Sequence, residues 1–260
     1  MTDASTPTAA TPDMTKTSIT MVLDRSGSMN SCRKATIDAV NKYLEEAKSS
    51  DLKTADFELM IFDAKSIDVI RTGVLAEVAM IAEKDFEPRD MTPLYDAIGR
   101  GIDSLDKRNG DGKAILVIVT DGAENQSRKH THASISELIQ GRQDKGWLIL
   151  FLGAGLENAL QGTSLGIHAA NVANIGLDEQ SLGATIASLA ATNVCYSLKA
   201  SLSDAKDYAA SEKFTPKMRK AMGDKSGGAG IVGGTPLPPE AQIPQDDSWS
   251  KTDRDDAWAK

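Results

Sequence analysis

The sequence is poor in the residues that mark several common protein classes. It has two cysteines, Cys32 and Cys195, and three histidines in 260 residues. Two distant cysteines form neither a zinc-binding spacing nor a disulfide framework, so we expect two reduced thiols, although a single long-range disulfide stays open. Aromatic residues make up 5% of the chain, and hydrophobic residues 40%. A sizeable core is therefore expected, built mainly from aliphatic side chains and methionine.

Positive charge and long apolar runs are also scarce. The chain has 29 Lys and Arg against 37 Asp and Glu, a formal net charge of −8. Such a balance gives no long-range attraction to nucleic acid or to anionic membranes. No apolar run approaches the roughly 20 residues needed to cross a bilayer, and the N-terminal MTDASTPTAATPDMTKT lacks the apolar centre of a signal peptide. These absences predict a cytoplasmic protein without nucleic-acid or membrane partners.

Both ends of the chain lack apolar periodicity. Residues 1–16 are small, polar and interrupted by proline, and residues 212–260 are a Gly/Pro-rich linker followed by an acidic tail that contains tryptophan. Such compositions cannot bury enough apolar surface to fold alone. We predict that both ends are disordered and that one folded domain covers residues 17–211.

Between the ends, short apolar runs alternate with segments of helical periodicity. The predicted strands are 18–23, 56–63, 66–75, 113–122, 147–155 and 171–176, and the predicted helical segments are 32–50, 92–108, 131–146, 156–166 and 177–211. Strands that alternate with helices form a mostly parallel sheet. The second and third strands are joined tightly, which predicts one antiparallel edge. The expected fold class is α/β: a doubly wound, mostly parallel sheet with helices on both faces.

Oxygen-bearing side chains cluster where ligands of such a sheet bind, beyond the carboxyl ends of the strands. MVLDRSGSMN contributes Asp24, Ser26 and Ser28, RDMTP contributes Thr92, and VIVTDG contributes Asp121. The three loops contain neither His nor Cys. A set of carboxylates and hydroxyls suits a hard cation such as Mg²⁺ or Mn²⁺ rather than zinc or copper.

Each segment alone also has a purely structural interpretation. D-x-S-x-S is compatible with an Asx or Ser turn that caps the first helix, and Thr92 with a plain N-cap followed by proline at the first helical position. T-D-G is compatible with a simple turn. Because all three fall on strand or helix ends that were predicted independently, we favour the metal site.

Taken together, D-x-S-x-S, a Thr before a helix and a strand-terminal T-D-G resemble the metal-ion-dependent adhesion site of the von Willebrand factor A-type domain. The resemblance covers most of residues 17–205. LDRSGSM, RDMTPLYDAIG and VIVTDGAENQSR are most similar to small bacterial and phage-encoded members. The resemblance implies that Ser26 and Ser28 bind Mg²⁺ directly, with Mn²⁺ or Ca²⁺ as alternatives. It implies that Thr92 binds directly or through water, and that Asp24 and Asp121 hold the ion mainly through water.

The resemblance also implies a function. An Asp or Glu of a partner protein would complete the ion's coordination, which makes the chain a non-enzymatic, cation-dependent protein-binding module. The family includes accessory factors of AAA+ ATPases and assembly machines, so a separate motor protein is an expected associate. From their loop positions, Arg25 and Arg89 are expected to flank the site and to pair with further carboxylates of the partner.

Two other functions stay open at this point: a metal-dependent phosphoester hydrolase, and an assembly protein that oligomerises through its Ala/Ser-rich helical segment 177–211. Nucleophilic catalysis finds little support, since Ser26 lacks a G-x-S-x-G elbow. GAGLEN imitates a dinucleotide-binding loop, but Asn158 stands where the third glycine belongs. The pair His130 and His132 is expected in a solvated loop. Asp63 is expected to cap a turn, or to orient a site residue.

Overall fold

Residues 13–224 are described by the structure, a computed structural model. Six strands form one sheet: β1 (Thr17–Asp24), β2 (Asp56–Phe62), β3 (Ile67–Val74), β4 (Lys113–Thr120), β5 (Leu148–Ala154) and β6 (Val172–Ile175). Their order is β3-β2-β1-β4-β5-β6. The pairing of β3 with β2 is antiparallel, and the other four pairings are parallel. The predicted mostly parallel sheet with one antiparallel edge strand is confirmed.

Helices cover both faces of this sheet. They are α1 (Arg33–Lys48), α2 (Leu94–Asn109), α3 (His132–Asp144), α4 (Leu156–Ser164), α5 (Glu179–Ser197), α6 (Leu202–Ala210) and α7 (Pro216–Ala221). Alternate residues of β1 point to opposite faces, as the pleat requires. Met21 and Leu23 pack in the cluster with α1 and α5, while Val22 packs in the cluster with α2 and α3.

The C-terminal part of the domain differs from its prediction in two ways. The helical segment 177–211 is divided between α5 and α6, because Ser201 begins a new helix by accepting a hydrogen bond from the Asp204 amide, 3.1 Å away. The chain from 212 to 224, predicted as linker, belongs to the folded unit. Phe214 and Met222 are fully buried. Phe214, Met218 and Met222 recur every four residues, a helical spacing in a short run that the Gly/Pro-rich composition of the chain after it obscured.

Residues 13–224 contain no helix of the length and apolar character required to span a membrane. Both cysteines are free, Cys32 buried and Cys195 exposed. Residues 1–12 and 225–260, which make up most of the two ends predicted to be disordered, lie outside the described residues.

Candidate metal centre

Asp24 ends β1 at the centre of the sheet and is fully buried. Its Oδ1 accepts the amide of Ser26 at 2.6 Å, which is an Asx turn. Its Oδ2 accepts the hydroxyl of Thr120 at 2.6 Å. Thr120 ends β4, and the parallel register that pairs Leu23 with Val119 brings the ends of the two strands side by side. The first and third loops therefore meet at Asp24.

A chain of hydroxyl contacts continues from this carboxylate across the loops. The Oγ atoms of Ser26 and Ser28 are hydrogen-bonded at 3.0 Å. The Ser28 hydroxyl donates to Oδ1 of Asp121 at 2.6 Å. Neither serine caps a helix, because the short 3₁₀ turn that starts at Gly27 has no side-chain cap bond. Four of the five predicted site residues are thus brought together: Asp24, Ser26, Ser28 and Asp121.

Thr92 is the fifth predicted site residue. Its purely structural interpretation required it to cap the second helix, and it does not. The helix α2 begins one residue later than predicted, with Pro93 in the N-cap position and no side-chain cap bond. Thr92 is buried, and its Oγ1 would lie 2.7 Å from a Cβ added to Gly122. The same added Cβ would lie 3.5 Å from Oδ2 of Asp24. The Thr92 hydroxyl therefore faces the other site residues across a space that glycine leaves open.

Residues after the T-D-G motif cap α2 in place of Thr92. Oε2 of Glu124 accepts the amide of Tyr95 at 3.0 Å, and Oγ of Ser127 accepts the amide of Asp96 at 3.1 Å. An N-terminal carboxylate also complements the helix dipole. Because these two side chains satisfy the free amides of the first turn, the Thr92 hydroxyl is not needed there.

Backbone hydrogen bonds join the first loop to the segment before α2. The Gly27 amide donates to the carbonyl of Asp90 at 2.9 Å, and the Arg89 amide donates to the carbonyl of Arg25 at 2.9 Å. Asp90 has a φ of 65°, a left-handed conformation that is uncommon outside glycine. This turn brings Thr92 to the end of β1.

Amide side chains hold the third loop in place. Oδ1 of Asn125 accepts the Thr92 amide at 2.8 Å, and the Asn125 amide donates to the Thr92 carbonyl at 3.1 Å. Asn158, in the first turn of α4, donates to the carbonyl of Asp121 at 2.6 Å. Oε1 of Gln161 accepts the Glu124 amide at 2.9 Å. The loop backbone is therefore fixed on two sides.

The two carboxylates of the site are held where ionisation is costly. Burial raises the pKa of Asp24 to about 6, against the opposing hydrogen bonds from Thr120 and Ser26. The negative charge of Asp121 contributes the smallest part of this rise. Burial also raises the pKa of Asp121, although the bond from Ser28 opposes this. A positive charge placed between these two buried acids would stabilise their ionised forms.

The residues present fit a hard divalent cation. The donors are two carboxylates and three hydroxyls, with the open space beside Gly122 among them. Within residues 13–224, no group of three or more His, Cys, Asp or Glu side chains is arranged to hold a metal ion. The candidate site has only two acids, Asp24 and Asp121, and its other donors are hydroxyls, so it does not form a group of three. Mg²⁺ needs few charged ligands because it keeps several waters.

The expectation for Arg25 is wrong. Its guanidinium is buried and donates to Oδ2 of Asp63 at 2.6 Å and to Oδ2 of Asp68 at 3.0 Å. Arg89 also contacts Oδ2 of Asp63, at 3.0 Å, but its side chain is 42% exposed. Both arginines are bound within the chain, so Arg25 is not free for a partner. Oδ1 of Asp63 caps the turn after β2 by accepting the amides of Lys65 and Ser66.

Sequence reasoning assigned no role to several residues that support the site. Asn158, which breaks the pattern of a dinucleotide-binding loop, positions Asp121 by donating to its carbonyl. Glu124 and Ser127 lie within AENQSR, directly after the T-D-G motif, and that polar run was an available signal. Thr120 precedes Asp121, but its bond to Asp24 depends on the strand register, which the sequence does not specify.

The pair His130 and His132 is divided between different neighbours. The His130 ring lies against Gly99 of α2, where an added Cβ would come within 2.5 Å of its Nε2. The His132 ring meets the edge of Tyr95, with ring centroids 6.0 Å apart. Both rings are half-buried against protein neighbours, rather than solvated as predicted.

No protein-family model and no curated protein matches the sequence. Solved structures match the fold. The pilus adhesin SpaC from Lactobacillus rhamnosus GG, in its open conformation, has a TM-score of 0.53 at 13% identity, covering 71% of this chain and 30% of the adhesin. A von Willebrand factor type A protein from Catenulispora acidiphila has a TM-score of 0.51 at 14% identity, covering 69% of this chain and 43% of that one.

The PilB minor pilin from Streptococcus sanguinis has a TM-score of 0.50 at 12% identity, covering 78% of this chain and 64% of the pilin. This chain thus spans less than half the length of SpaC and of the Catenulispora protein. At such identities the likeness concerns the fold alone. Together with the sheet order and the single antiparallel edge, it shows that the chain has a von Willebrand factor A-like α/β fold.

Proposed function

We propose that this chain is a non-enzymatic protein-binding module whose binding depends on a divalent cation, as in small bacterial and phage-encoded proteins with a metal-ion-dependent adhesion site. One observation carries the proposal. Hydroxyls and carboxylates from three separate loops converge at the carboxyl end of β1, and the Ser26, Ser28 and Asp121 side chains are already hydrogen-bonded in a row.

The cation would be held by Asp24, Ser26, Ser28, Thr92 and Asp121. The hydroxyls of both serines and of Thr92 are the direct ligands in this proposal, while the two carboxylates act through bound water. Mg²⁺ is the proposed ion, with Mn²⁺ or Ca²⁺ as alternatives. When bound, it supplies Lewis acidity toward an incoming carboxylate. With most of the ligands neutral, the ion keeps a net positive charge that attracts an acid.

The proposed partner is a protein that presents an Asp or Glu to this ion. The chain's net charge of −8 disfavours nucleic acid and anionic membranes as partners. The fold neighbours include a pilus adhesin and a minor pilin, and adhesion between proteins is the kind of function that this fold can carry. The resemblance of the motifs suggests a separate AAA+ ATPase or assembly machine as the system served.

The test is metal binding by the full chain. Titration with Mn²⁺, followed by the electron paramagnetic resonance signal of the free ion, is expected to show saturable binding that Mg²⁺ competes away. Asp24→Ala is expected to abolish it. Asp103→Asn, which removes an exposed acid on α2, is the matched control and is expected to bind normally. Equal binding by all three proteins, with circular dichroism spectra that agree, overturns the proposal.

A second experiment separates binding from hydrolysis. The metal-loaded protein is incubated with generic phosphomonoesters and phosphodiesters, and released phosphate or alcohol is measured. We expect no turnover with Mg²⁺ or Mn²⁺. We also expect the immobilised protein to retain an acidic protein from the native host in Mg²⁺ but not in EDTA. Metal-dependent turnover that Asp24→Ala eliminates would assign the site to a hydrolase instead.

A further inference from the structure

We propose that the chain has a second ligand site, a cavity between α2 and the edge strand β3 that binds a small organic phosphate. The cavity has a volume of about 400 Å³, at the lower end of the range for sites that hold small-molecule ligands. None of the residues that line it belongs to the candidate metal centre. The proposal therefore goes beyond the proposed function and does not depend on a bound cation.

The cavity exists because the edge strand extends beyond the helix layer. The helix α2 packs mainly on β1, β2 and β4, so the face of β3 on that side is left partly uncovered. Val69 of β3 lies opposite Met60 of β2 and is 39% exposed. Ile67, two residues earlier in β3, lies on the same face. These three side chains give the cavity an apolar floor.

Three cations line the walls of the cavity. Arg100 and Lys107 lie two turns apart on one face of α2, and Lys129 lies in the loop before α3. All three residues are exposed. Within residues 13–224, none of them is within ion-pair distance of an acid. Because a concave surface with low-dielectric walls focuses the field of its charges, three unpaired cations around one cavity favour an anionic ligand.

Two acids also line the cavity, and they have different roles. The carboxylate of Asp96 accepts the three consecutive amides of residues 128–130 at 2.9–3.0 Å. These bonds occupy both of its oxygens and fix the loop that carries Lys129. Asp103 is exposed on the same face of α2, where it opposes the binding of an anion. Three cations against two acids still leave an excess of positive charge.

The neutral polar groups of the cavity offer few donors. The Ser104 hydroxyl donates to Oε2 of the buried Glu58 at 2.9 Å, so it is not free to donate to a ligand. The charge of Glu58 is offset in turn by Arg108, whose Nε lies 3.6 Å from the same oxygen. The His130 ring lines the cavity and has one N–H donor in its neutral form. An anion in this cavity would therefore be held mainly by the three cations.

The combination of walls and floor defines the class of ligand. A guanidinium binds two oxygens of a phosphate in a bidentate manner, and lysines add point charges. A phosphomonoester carries a charge of about −1.5 to −2 near pH 7, which suits three cations better than a single carboxylate does. The apolar floor would contact the organic part of the ligand. The cavity is therefore suited to a phosphomonoester with an apolar or aromatic group.

The test is a titration of the full ¹⁵N-labelled chain with phenyl phosphate, followed by amide chemical shifts at pH 7.5 and constant ionic strength. The buffer is metal-free and contains no EDTA, which is itself a polyanion. Saturable shifts are expected at Arg100, Lys129 and His130. Inorganic phosphate lacks the ring, benzoate lacks the phosphate, and phenol lacks the charge. We expect phenyl phosphate to bind at least fivefold more tightly than phosphate or benzoate, and phenol to cause no saturable shift.

The decisive variants are two neighbouring exposed cations of one loop, of which only Lys129 lines the cavity. Lys129→Gln is expected to weaken phenyl phosphate binding about two- to fivefold, as for a partly exposed ion pair, and the matched control Arg128→Gln to stay close to the wild type. Adding Arg100→Gln and Lys107→Gln to Lys129→Gln should bring the loss to at least tenfold. Asp103→Asn is expected to strengthen binding, because it removes a like charge.

Four results would overturn the proposal. If neither phenyl phosphate nor inorganic phosphate gives saturable shifts up to about 20 mM, well above a Kd of a few mM, the site is rejected. If Lys129→Gln and Arg128→Gln respond alike, the ligand is not bound in this cavity. If benzoate binds as tightly as phenyl phosphate, the phosphate class is wrong. If Asp24→Ala abolishes the shifts, the ligand occupies the metal centre instead. Mn²⁺ binding is measured separately, so a failure here leaves the proposed function standing.

Discussion

Single hydroxyl groups decide what the candidate site can do. The Thr120 hydroxyl is used within the fold, since it donates to Asp24. The Thr92 hydroxyl is kept out of helix capping, because Glu124 and Ser127 cap α2. The two threonines therefore have different roles: the Thr120 hydroxyl is structural, and the Thr92 hydroxyl is available to a ligand.

The two threonines are expected to respond differently to removal of the hydroxyl. Thr120→Val deletes a buried hydrogen bond to a carboxyl group and is expected to lower the free energy of unfolding by about 1.5–3 kcal/mol. Thr92→Val is expected to change it by less than about 1 kcal/mol, since no cap bond is lost, while Mn²⁺ affinity falls at least tenfold. Urea denaturation in EDTA and Mn²⁺ titration measure the two effects. Equal destabilisation by both substitutions would contradict this assignment.

The pKa of Asp24 predicts how the metal-free protein responds to pH. A folded-state pKa of about 6, raised from 3.8, means that the folded protein holds this proton more tightly than the unfolded chain. The resulting stabilisation is complete below about pH 4 and is lost as pH rises through about 6, a change of roughly 3 kcal/mol. Asp24→Asn is expected to lack this component.

The measurement is urea denaturation in EDTA between about pH 4.5 and pH 7.5. Across this range, the free energy of unfolding of the wild type is expected to decline relative to that of Asp24→Asn. Part of the slope should persist in the variant, because burial raises the pKa of Asp121 as well. Parallel curves for the two proteins would show that Asp24 is not the group responsible.

At the scale of helices and strands, the sequence predicted what local patterns specify. Continuous apolar runs such as KAILVIVT identified the buried parallel strands, and strand ends placed Asp24 and Asp121 at one edge of the sheet. Contacts between segments that are distant in the chain were not predictable. Arg25, which follows β1, pairs with Asp63 and Asp68 of the β2–β3 hairpin. The sequence does not distinguish a paired guanidinium from a free one.

The helix α7 shows the same limit and offers a test. The Arg219 guanidinium donates to the carbonyls of Phe214 and Val172, and burial lowers its pKa. Arg219→Ala would leave these buried carbonyls without a donor and is expected to cost about 2–4 kcal/mol of stability. Lys220→Ala, an exposed position on the same helix, is expected to change stability by less than about 0.5 kcal/mol. Urea denaturation compares the two, and an Arg219→Ala effect as small as that of Lys220→Ala would mean that the bonds of Arg219 do not stabilise the fold.

For the molecule as a whole, a bound cation is expected to act as a stabiliser, because it binds the folded state and unites three loops. At a Mg²⁺ concentration 100 times its Kd, the expected gain is about 2.7 kcal/mol, seen as a rise in Tm of several degrees. EDTA should reverse the rise, and Asp24→Ala should show none. Differential scanning calorimetry at constant ionic strength measures it. An equal response of wild type and variant would point to general screening of the net charge instead.

The segment 212–224, which lies along the edge of β6, also bears on solubility. Its bonds to the Val172 carbonyl and the Gly176 amide occupy backbone groups that would otherwise be exposed along an edge strand, and exposed edges pair readily with other chains. A chain ended at residue 211, the boundary that the sequence suggests, would leave this edge bare beside the pockets vacated by Phe214 and Met222. Such a chain is expected to aggregate at concentrations where one ended at 224 stays monodisperse by light scattering. The segment that contains α7 therefore keeps the edge of β6 from pairing with other copies of the chain.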